Sequence, residues 1–311
     1  MRPQTSAPYP MTRLDHLGPE VVDEVVALAG LATRTDGAAP IAEHVLLLLR
    51  RPQARLRHLL LRGPAGELTG YANLDLTDPA AGIGVELVVH PAHRGQGHGR
   101  ALLAAVGAET EVPLRIWSHG DHPSAAALAV DLGFRRERML WQLRRPLTAP
   151  ELPDLFAPEL PEGIALRGFR PGRDDEEWLA LNARAFAEHP EQGRWTADDL
   201  RARMAEPWFD PDGFLLAVST ETGRLVGFHW TKVHDTPGGR PIGEVYVLGV
   251  DPDAHRGGLG RALTTAGLTH LRSRGLDRVM LYVDDTNAAA MALYQRLGFA
   301  RWCAHVEYRR G

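Results

Sequence analysis
The sequence predicts two tandem copies of one α/β domain, and three observations carry that prediction. The 311 residues hold an internal repeat: Pro91, Gly97, Gly99 and Arg100-Ala101-Leu102 recur as Pro252, Gly258, Gly260 and Arg261-Ala262-Leu263, each 161 positions on. Leu132-Gly133-Phe134 recurs as Leu297-Gly298-Phe299, 165 positions on. Each copy also centres on an apolar strand that crosses a glycine-rich loop into a helix, GVELVVHPAHRGQGHGRA at 84–101 and IGEVYVLGVDPDAHRGGLGRA at 242–262. Finally, Pro146, Pro150, Pro153, Pro158 and Pro161 lie in a stretch without apolar period, which reads as a semi-rigid linker. The expected domains are therefore 1–145 and 164–311, joined by 146–163, in keeping with about 150 residues per domain.

Taken in order, residues 1–10 read as a loose tail. Val21, Val22, Val25, Val26, Leu28 and Ala29 form a helical stripe over 19–32. A loop carrying Asp36 follows, then a short helix over 41–50. Strands are expected at 57–61 and 68–76 around the Gly63–Gly66 turn, and at 85–90 before the glycine loop. A helix over 100–110, a strand at 113–117, a helix at 124–131 and a strand at 139–143 complete the first copy. In the second copy a strand at 164–167 precedes helices at 174–186 and 196–204, the latter opened by Thr196 and Asp199 in a reciprocal capping pattern. Strands at 214–218 and 224–232 form a hairpin around Thr222-Gly223. The strand at 244–250, the loop, a helix at 261–274, a strand at 278–283, a helix at 287–297 and a strand at 302–308 follow.

Composition narrows the function classes. Apolar content of 44% and charged content of 24% are ordinary for a soluble globular protein. A net charge of −4 offers no electrostatic reason for nucleic acid or an anionic membrane as partner. The longest aliphatic run, Val45–Leu49, is far short of the roughly 20 residues that span a bilayer. No signal peptide is visible, so a cytoplasmic location is expected. Cys303, the single cysteine, is expected to be a buried structural thiol. Of the 35 basic side chains only Lys232 is a lysine, which marks a position that needs a compact ammonium rather than a guanidinium. The 14 histidines read as scattered surface side chains, because neither His90/His93 nor His229/His234 has partners at zinc spacing. No metal is expected.

Glycines before a helix N-terminus make an anion site: the backbone approaches closely, and free N–H groups with the helix dipole favour phosphate oxygens. A nucleotide P-loop requires Gly-Lys-Ser/Thr, and Gly-Arg-Ala stands here instead. A dinucleotide fold requires strand–helix alternation, whereas hairpins precede this loop. Arg94-Gly95-Gln96-Gly97-His98-Gly99, entering the helix at Arg100, resembles the Arg/Gln-x-x-Gly-x-Gly/Ala pyrophosphate loop of GNAT-superfamily N-acetyltransferases. The second copy is similar, with His255 in the Arg/Gln place, then Arg256, Gly257, Gly258, Leu259, Gly260 and Arg261. The resemblance implies two tandem GNAT acetyltransferase domains, each a mixed, mostly antiparallel twisted sheet flanked by helices, with acetyl-CoA as co-substrate. It also implies that the strand ends Leu248-Gly249-Val250 and Leu87-Val88-Val89 bind the pantetheine through their backbone.

Acetylating an amine requires removal of a proton from the ammonium, and the departing thiolate gains from a proton donor. Glu244, on the strand leading to the second loop, is the candidate base, and Tyr294, on the later helix, the candidate acid. At the repeat offsets their places in the first copy are Ile83 and Ala129, and Glu86 is expected on the opposite strand face. The second domain is thus the expected catalytic one. The first is expected to be degenerate and able to hold acetyl-CoA.

Longer strings resemble the mycothiol synthase family over both domains. They include Thr35-Asp36-Gly37-Ala38-Ala39-Pro40, Phe169-Arg170-Pro171-Gly172-Arg173-Asp174, His189-Pro190-Glu191-Gln192-Gly193, Trp208-Phe209-Asp210-Pro211-Asp212-Gly213, Gly227-Phe228-His229-Trp230-Thr231-Lys232 and Gly243-Glu244-Val245-Tyr246. The resemblance implies transfer of acetyl to the cysteinyl amine of cysteinyl-glucosaminyl-inositol, the last step of mycothiol biosynthesis. By motif, Asp36, Glu191, Lys232, Glu244 and Tyr282 would contact that thiol-sugar, and Asn287, Ala288, Ala289, Ala290, Met291 and Ala292 would complete the coenzyme site. A monomer is expected. Two alternatives stand beside this: another two-domain acetyltransferase acting on a peptide N-terminus or an aminoglycoside, and a non-catalytic acetyl-CoA-binding protein.

Overall fold
The computed structural model describes residues 10–50, 55–77, 82–148, 159–235, 239–254 and 257–311, with the side chains of Pro190 and Glu191 outside the description. The expected tail and much of the expected linker therefore lie outside the described residues. Two compact units are present, one of Met1–Leu140 with Cys303–Gly311, the other of Trp141–Trp302.

In the first unit, α1 (Pro19–Asp36) and α2 (Glu43–Leu49) follow the short strand β1 (Met11–Leu14), which lies beyond the reach of periodicity. The helix α1 runs through Asp36 and stops at Gly37, whose left-handed φ of 74° lets its N–H bond the Thr33 carbonyl. The sequence had suggested a loop there, but Thr33 and Thr35 both return their hydroxyls to the preceding turn and leave the helix intact. Next come β2 (Leu56–Arg62), β3 (Leu68–Asp75), β4 (Ile83–Val89), α3 (His98–Ala108), β5 (Leu114–His119), α4 (Pro123–Asp131) and β6 (Arg135–Pro146). The sheet order is β1-β2-β3-β4-β5-β12, where β12 is Ala300–Arg310. All of these neighbours are antiparallel except β4 and β5. Leu59, Leu74, Val85, Leu102 and Ile116 fill one face, while Val25, Ile41, Leu60, Tyr71 and Val88 fill the other under α1 and α2.

The final strand shows a feature that periodicity cannot reveal. The sequence reading places it at the end of the second repeat, yet His305–Arg310 run antiparallel to His119–Leu114 within the first unit. Glu307 meets the diagonal Arg115 of β5, while Arg309, level with Arg115, meets Glu137 of β6. From Trp141 onward, β6 belongs in turn to the second unit.

The second unit comprises β7 (Ile164–Gly168), α5 (Asp175–Ala185), α6 (Pro190–Gly193), α7 (Ala197–Met204), β8 (Phe214–Ser219), β9 (Leu225–His234), β10 (Ile242–Val250), α8 (Leu259–Ser273), β11 (Arg278–Asp284) and α9 (Ala288–Arg296). Its sheet order is β6-β11-β10-β9-β8-β7. The capping pattern read at Thr196 is realised, with the hydroxyl accepting from the Asp199 N–H and the Asp199 carboxylate accepting from the Thr196 N–H. Under α5 and α7 lies an aromatic core of Trp178, Phe214, Phe228 and Trp230, while Leu268, Leu271, Val279, Leu281 and Phe299 fill the face under α8 and α9. Among the described residues no helix is long and apolar enough to cross a membrane.

Candidate active site
The second unit's central strand is bent by one extra residue. On its β9 side, Val245 is level with Thr231 and Val247 with Trp230, so the register shifts by one at Tyr246, which forms a bulge. Bulges bend the strand and deepen its twist. On the other side, the parallel ladder to β11 covers only Gly243–Val245 against Val279–Leu281. Leu248, Gly249 and Val250 remain paired to β9 but have parted from β11, opening a cleft between the two strands. Backbone groups along such an edge can serve an extended amide-bearing ligand.

The N-terminus of α8 stands at the head of this strand. Gly258 caps it with φ 81° and no side-chain hydrogen bond, and open space surrounds the position where a Cβ would sit. The first N–H groups of a helix lack intrahelical partners and attract anions, so the turn Gly257, Gly258, Leu259, Gly260 and Arg261 fits a pyrophosphate. His255 and Arg256 lie outside the described residues. Asn287 caps α9, its side chain accepting from the Ala290 N–H, and Ala288–Ala292 form the first turns behind it.

In the first unit Leu87, Val88 and Val89 lie on β4, whose ladder to β5 likewise covers only Ile83–Val85. Gly97 caps α3 with φ 88°, and Gly95 is also left-handed. The strand differs from that of the second unit in one respect. The β3–β4 ladder runs without a bulge from Gly70–Val89 to Asp75–Gly84. Arg94, the loop's arginine, is held by a two-pronged ion pair to Asp36 at 2.7 Å on both oxygens. Gln96 reaches back to the Ala92 carbonyl, His98 is buried and Arg100 pairs with Asp131.

Because only the second unit has the bulge, the internal correspondence shifts by one before it. Glu244 is level with Met280 as Gly84 is with Arg115, so its counterpart is Gly84 and not Ile83. Glu86 then lies two residues from Gly84, on the equivalent face and not the opposite one, as the sequence had suggested. It is buried, accepts from the Ala42 N–H at 2.5 Å and stands 3.6 Å from His119. Ala129 does correspond to Tyr294, since each carbonyl accepts the N–H of the following phenylalanine, Phe134 or Phe299.

Glu244 is 5% exposed and sits directly opposite Lys232 on β9. Its Oε2 is 2.5 Å from Nε2 of His234. Lys232 is itself buried, its ammonium 4.4 Å from the Trp208 ring centre and 5.1 Å from that of Tyr246. The bulged Tyr246 accepts at its hydroxyl from Nε of Arg203. Tyr282 is level with this face, two residues beyond Met280, and its hydroxyl accepts from Gln142 Nε2 at 2.7 Å. The structure thus brings Glu244, Lys232 and Tyr282 to one face. Glu191 falls in α6 without a described side chain, and Asp36 lies in the first unit against Arg94.

Tyr294 belongs to the cluster of Val245, Leu281 and Val283, the residues that alternate with Glu244, Met280 and Tyr282. Candidate base and candidate acid therefore approach the cleft from opposite faces of the sheet. Burial pushes the Tyr294 hydroxyl up to about 12, which keeps its proton in place at neutral pH.

Comparison with known proteins follows the same division. A model described as the acetyltransferase (GNAT) family matches residues 176–299, and one described as an acetyltransferase (GNAT) domain matches 56–136. A mycothiol acetyltransferase of Salinispora arenicola is 66% identical over 96% of this chain and 96% of its own. Those of Thermobispora bispora and Streptomyces coelicolor are 58% and 54% identical, over 93% and 97% of this chain and 95% and 96% of their own. The chain belongs to the mycothiol acetyltransferase family. Among solved structures, a GCN5-related N-acetyltransferase from Sphaerobacter thermophilus superposes with a TM-score of 0.68 at 27% identity, over 96% of this chain and 95% of its own. A tandem GNAT protein from the clavulanic acid biosynthesis pathway shares the fold with a TM-score of 0.72 at 23% identity, over 97% and 98% of the two chains. The expected pair of tandem GNAT domains is thus present, in a chain of the mycothiol acetyltransferase family.

Sequence reasoning missed His234, Tyr246 and Arg203. A signal existed for the first: Trp230, Lys232 and His234 occupy alternate positions of one strand, which puts them on one face. The histidines as a group were misread, for His58, His98, His229 and His305 are buried. His229 is held through Nδ1 by the Leu263 carbonyl. Cys303 is half-buried rather than buried, with Sγ 3.6 Å from His305. Among the described residues no group of His, Cys, Asp and Glu could hold a metal ion.

Proposed function
We propose that this chain transfers acetyl from acetyl-CoA to the cysteinyl amine of cysteinyl-glucosaminyl-inositol, and that its second unit does the chemistry. The observation that carries this reading is the buried Glu244 facing Lys232 beside the cleft between β10 and β11, with the glycine-capped N-terminus of α8 at its head. The family relationship supports the choice of acceptor. Gly257–Arg261 would hold the pyrophosphate and the Leu248–Val250 backbone the pantetheine, where an N–H can also favour the developing oxyanion. Glu244 takes one proton from the ammonium, the freed amine attacks the thioester carbonyl, the Tyr294 hydroxyl protonates the departing sulfur, and the nitrogen's second surplus proton returns through water to the tyrosine as the amide forms. Lys232 and Tyr282, with Glu191, would contact the sugar and polyol hydroxyls. The first unit lacks both the carboxylate at Gly84 and the hydroxyl at Ala129, and acts as a degenerate partner whose loop is still able to hold acetyl-CoA.

Thiol release should be followed with cysteinyl-glucosaminyl-inositol beside simple amines, a peptide N-terminus and an aminoglycoside, and mass spectrometry should locate the acetyl group. Acetylation on the cysteinyl nitrogen, with a preference of orders of magnitude over the other amines, is the expected result. Preference for any other acceptor would replace this reading, and coenzyme binding without turnover on any amine would leave a non-catalytic protein.

A further inference from the structure
We propose that His234 is a positioning residue for the reaction, acting through Glu244: its Nε2–H donates to Oε2, fixes the carboxylate in place and leaves Oε1 to meet the acceptor ammonium. The inference rests on the proposed role of Glu244 as base. Three observations lead to it. The Nε2–Oε2 separation is 2.5 Å, a close hydrogen bond that ties one carboxylate oxygen to the ring. The ladder fixes the pair, because Ile242 is level with His234 and Glu244 with Lys232, which makes His234 and Glu244 diagonal neighbours on one face. Finally, the Glu244 side chain is 7% exposed and that of His234 is 32% exposed, so the imidazole lies on the solvent side of a carboxylate that is otherwise enclosed.

The other polar groups on this face have different engagements. Lys232 lies over the rings of Trp208 and Tyr246. The Tyr246 hydroxyl accepts from Arg203 of α7, and the Tyr282 hydroxyl of β11 accepts from Gln142 of β6. Asp284, two residues farther along β11, accepts from Thr286. The hydrogen bond from His234 selects which oxygen of Glu244 faces the amine, since Oε2 is occupied.

The test compares His234→Ala with His234→Gln, whose amide can still donate, and combines each with Glu244→Gln. For His234→Ala, kcat should fall about ten- to a hundredfold, the usual worth of a hydrogen bond to a charged group. Acetyl-CoA affinity should stay within about threefold. His234→Gln should restore most of the rate. In the Glu244→Gln background, His234→Ala should cost almost nothing more, because a residue that acts through Glu244 has nothing left to act on. Failure of His234→Gln to restore the rate, or full additivity in the double variant, would overturn the proposal. Turnover like that of the wild type in Glu244→Gln alone would overturn the base assignment instead, so the two failures are distinguishable.

Discussion
Lys232 and Glu244 are level with each other across two strands, and both are buried. Neither arrangement is cheap without partners, so each residue has a definable task. Glu244→Gln keeps size and hydrogen-bonding capacity but removes the base, and it should lower kcat about 10²- to 10⁴-fold. Its acetyl-CoA affinity, measured by calorimetry, should hardly change. Lys232→Arg keeps the charge but puts a wide planar group between Trp208 and Tyr246, where a compact ammonium fits. The acceptor KM should rise about tenfold, and an unmoved KM would show that charge alone matters there. Both residues were legible in the sequence, one as a carboxylate heading the loop strand and the other as the single lysine of the chain. His234 was not legible, because a diagonal contact depends on the register of two strands, and no single-strand pattern specifies that.

The loops and strands of each unit were readable because glycine turns and apolar runs leave marks on the chain, whereas the bulge at Tyr246 left none. One extra residue on the strand changes which position of the first unit corresponds to Glu244, and the ladder from β10 to β11 ends just before it. Gly249, just beyond the bulge, has a specific reason to be glycine. A Cβ there would fall 2.6 Å from Cε1 and 2.8 Å from Cζ of Phe228, a fully buried ring that packs edge-on to Trp178. Gly249→Ala should therefore displace β10, destabilise the fold by about 1–3 kcal/mol and raise the acetyl-CoA KM. Chemical denaturation and steady-state kinetics would check both parts. Wild-type stability with unchanged coenzyme affinity would show that the strand has slack. The helix α1 marks another limit of local reading: its last turn looked like a loop until the threonine hydroxyls were seen folded back on it.

For the molecule as a whole, buried imidazoles set the response to acid. Burial holds His58 and His229 down to about 4 and His305 to about 3, well below the ordinary histidine range near 6.5. In the unfolded chain they take up protons that the folded chain refuses. Their contribution is therefore present above pH about 6.5 and is lost as pH falls through the folded values. At pH 5 each should remove on the order of 1–2 kcal/mol of stability. Thermal unfolding should show Tm falling steeply between pH 7 and 5, and replacing His229 by Gln should flatten that slope; an equally steep slope would place the acid sensitivity elsewhere. The two-domain plan itself was visible in the repeat, but the crossing of the last strand was not, since a strand's composition does not reveal which sheet it joins. That crossing has a consequence for synthesis. The first unit's β5 pairs with residues nearly two hundred positions later in the chain, so this sheet cannot close until Cys303–Gly311 have left the ribosome. Removing those nine residues should expose the edge of β5 and unravel the first repeat, although the residues cut away are translated after the whole of the second.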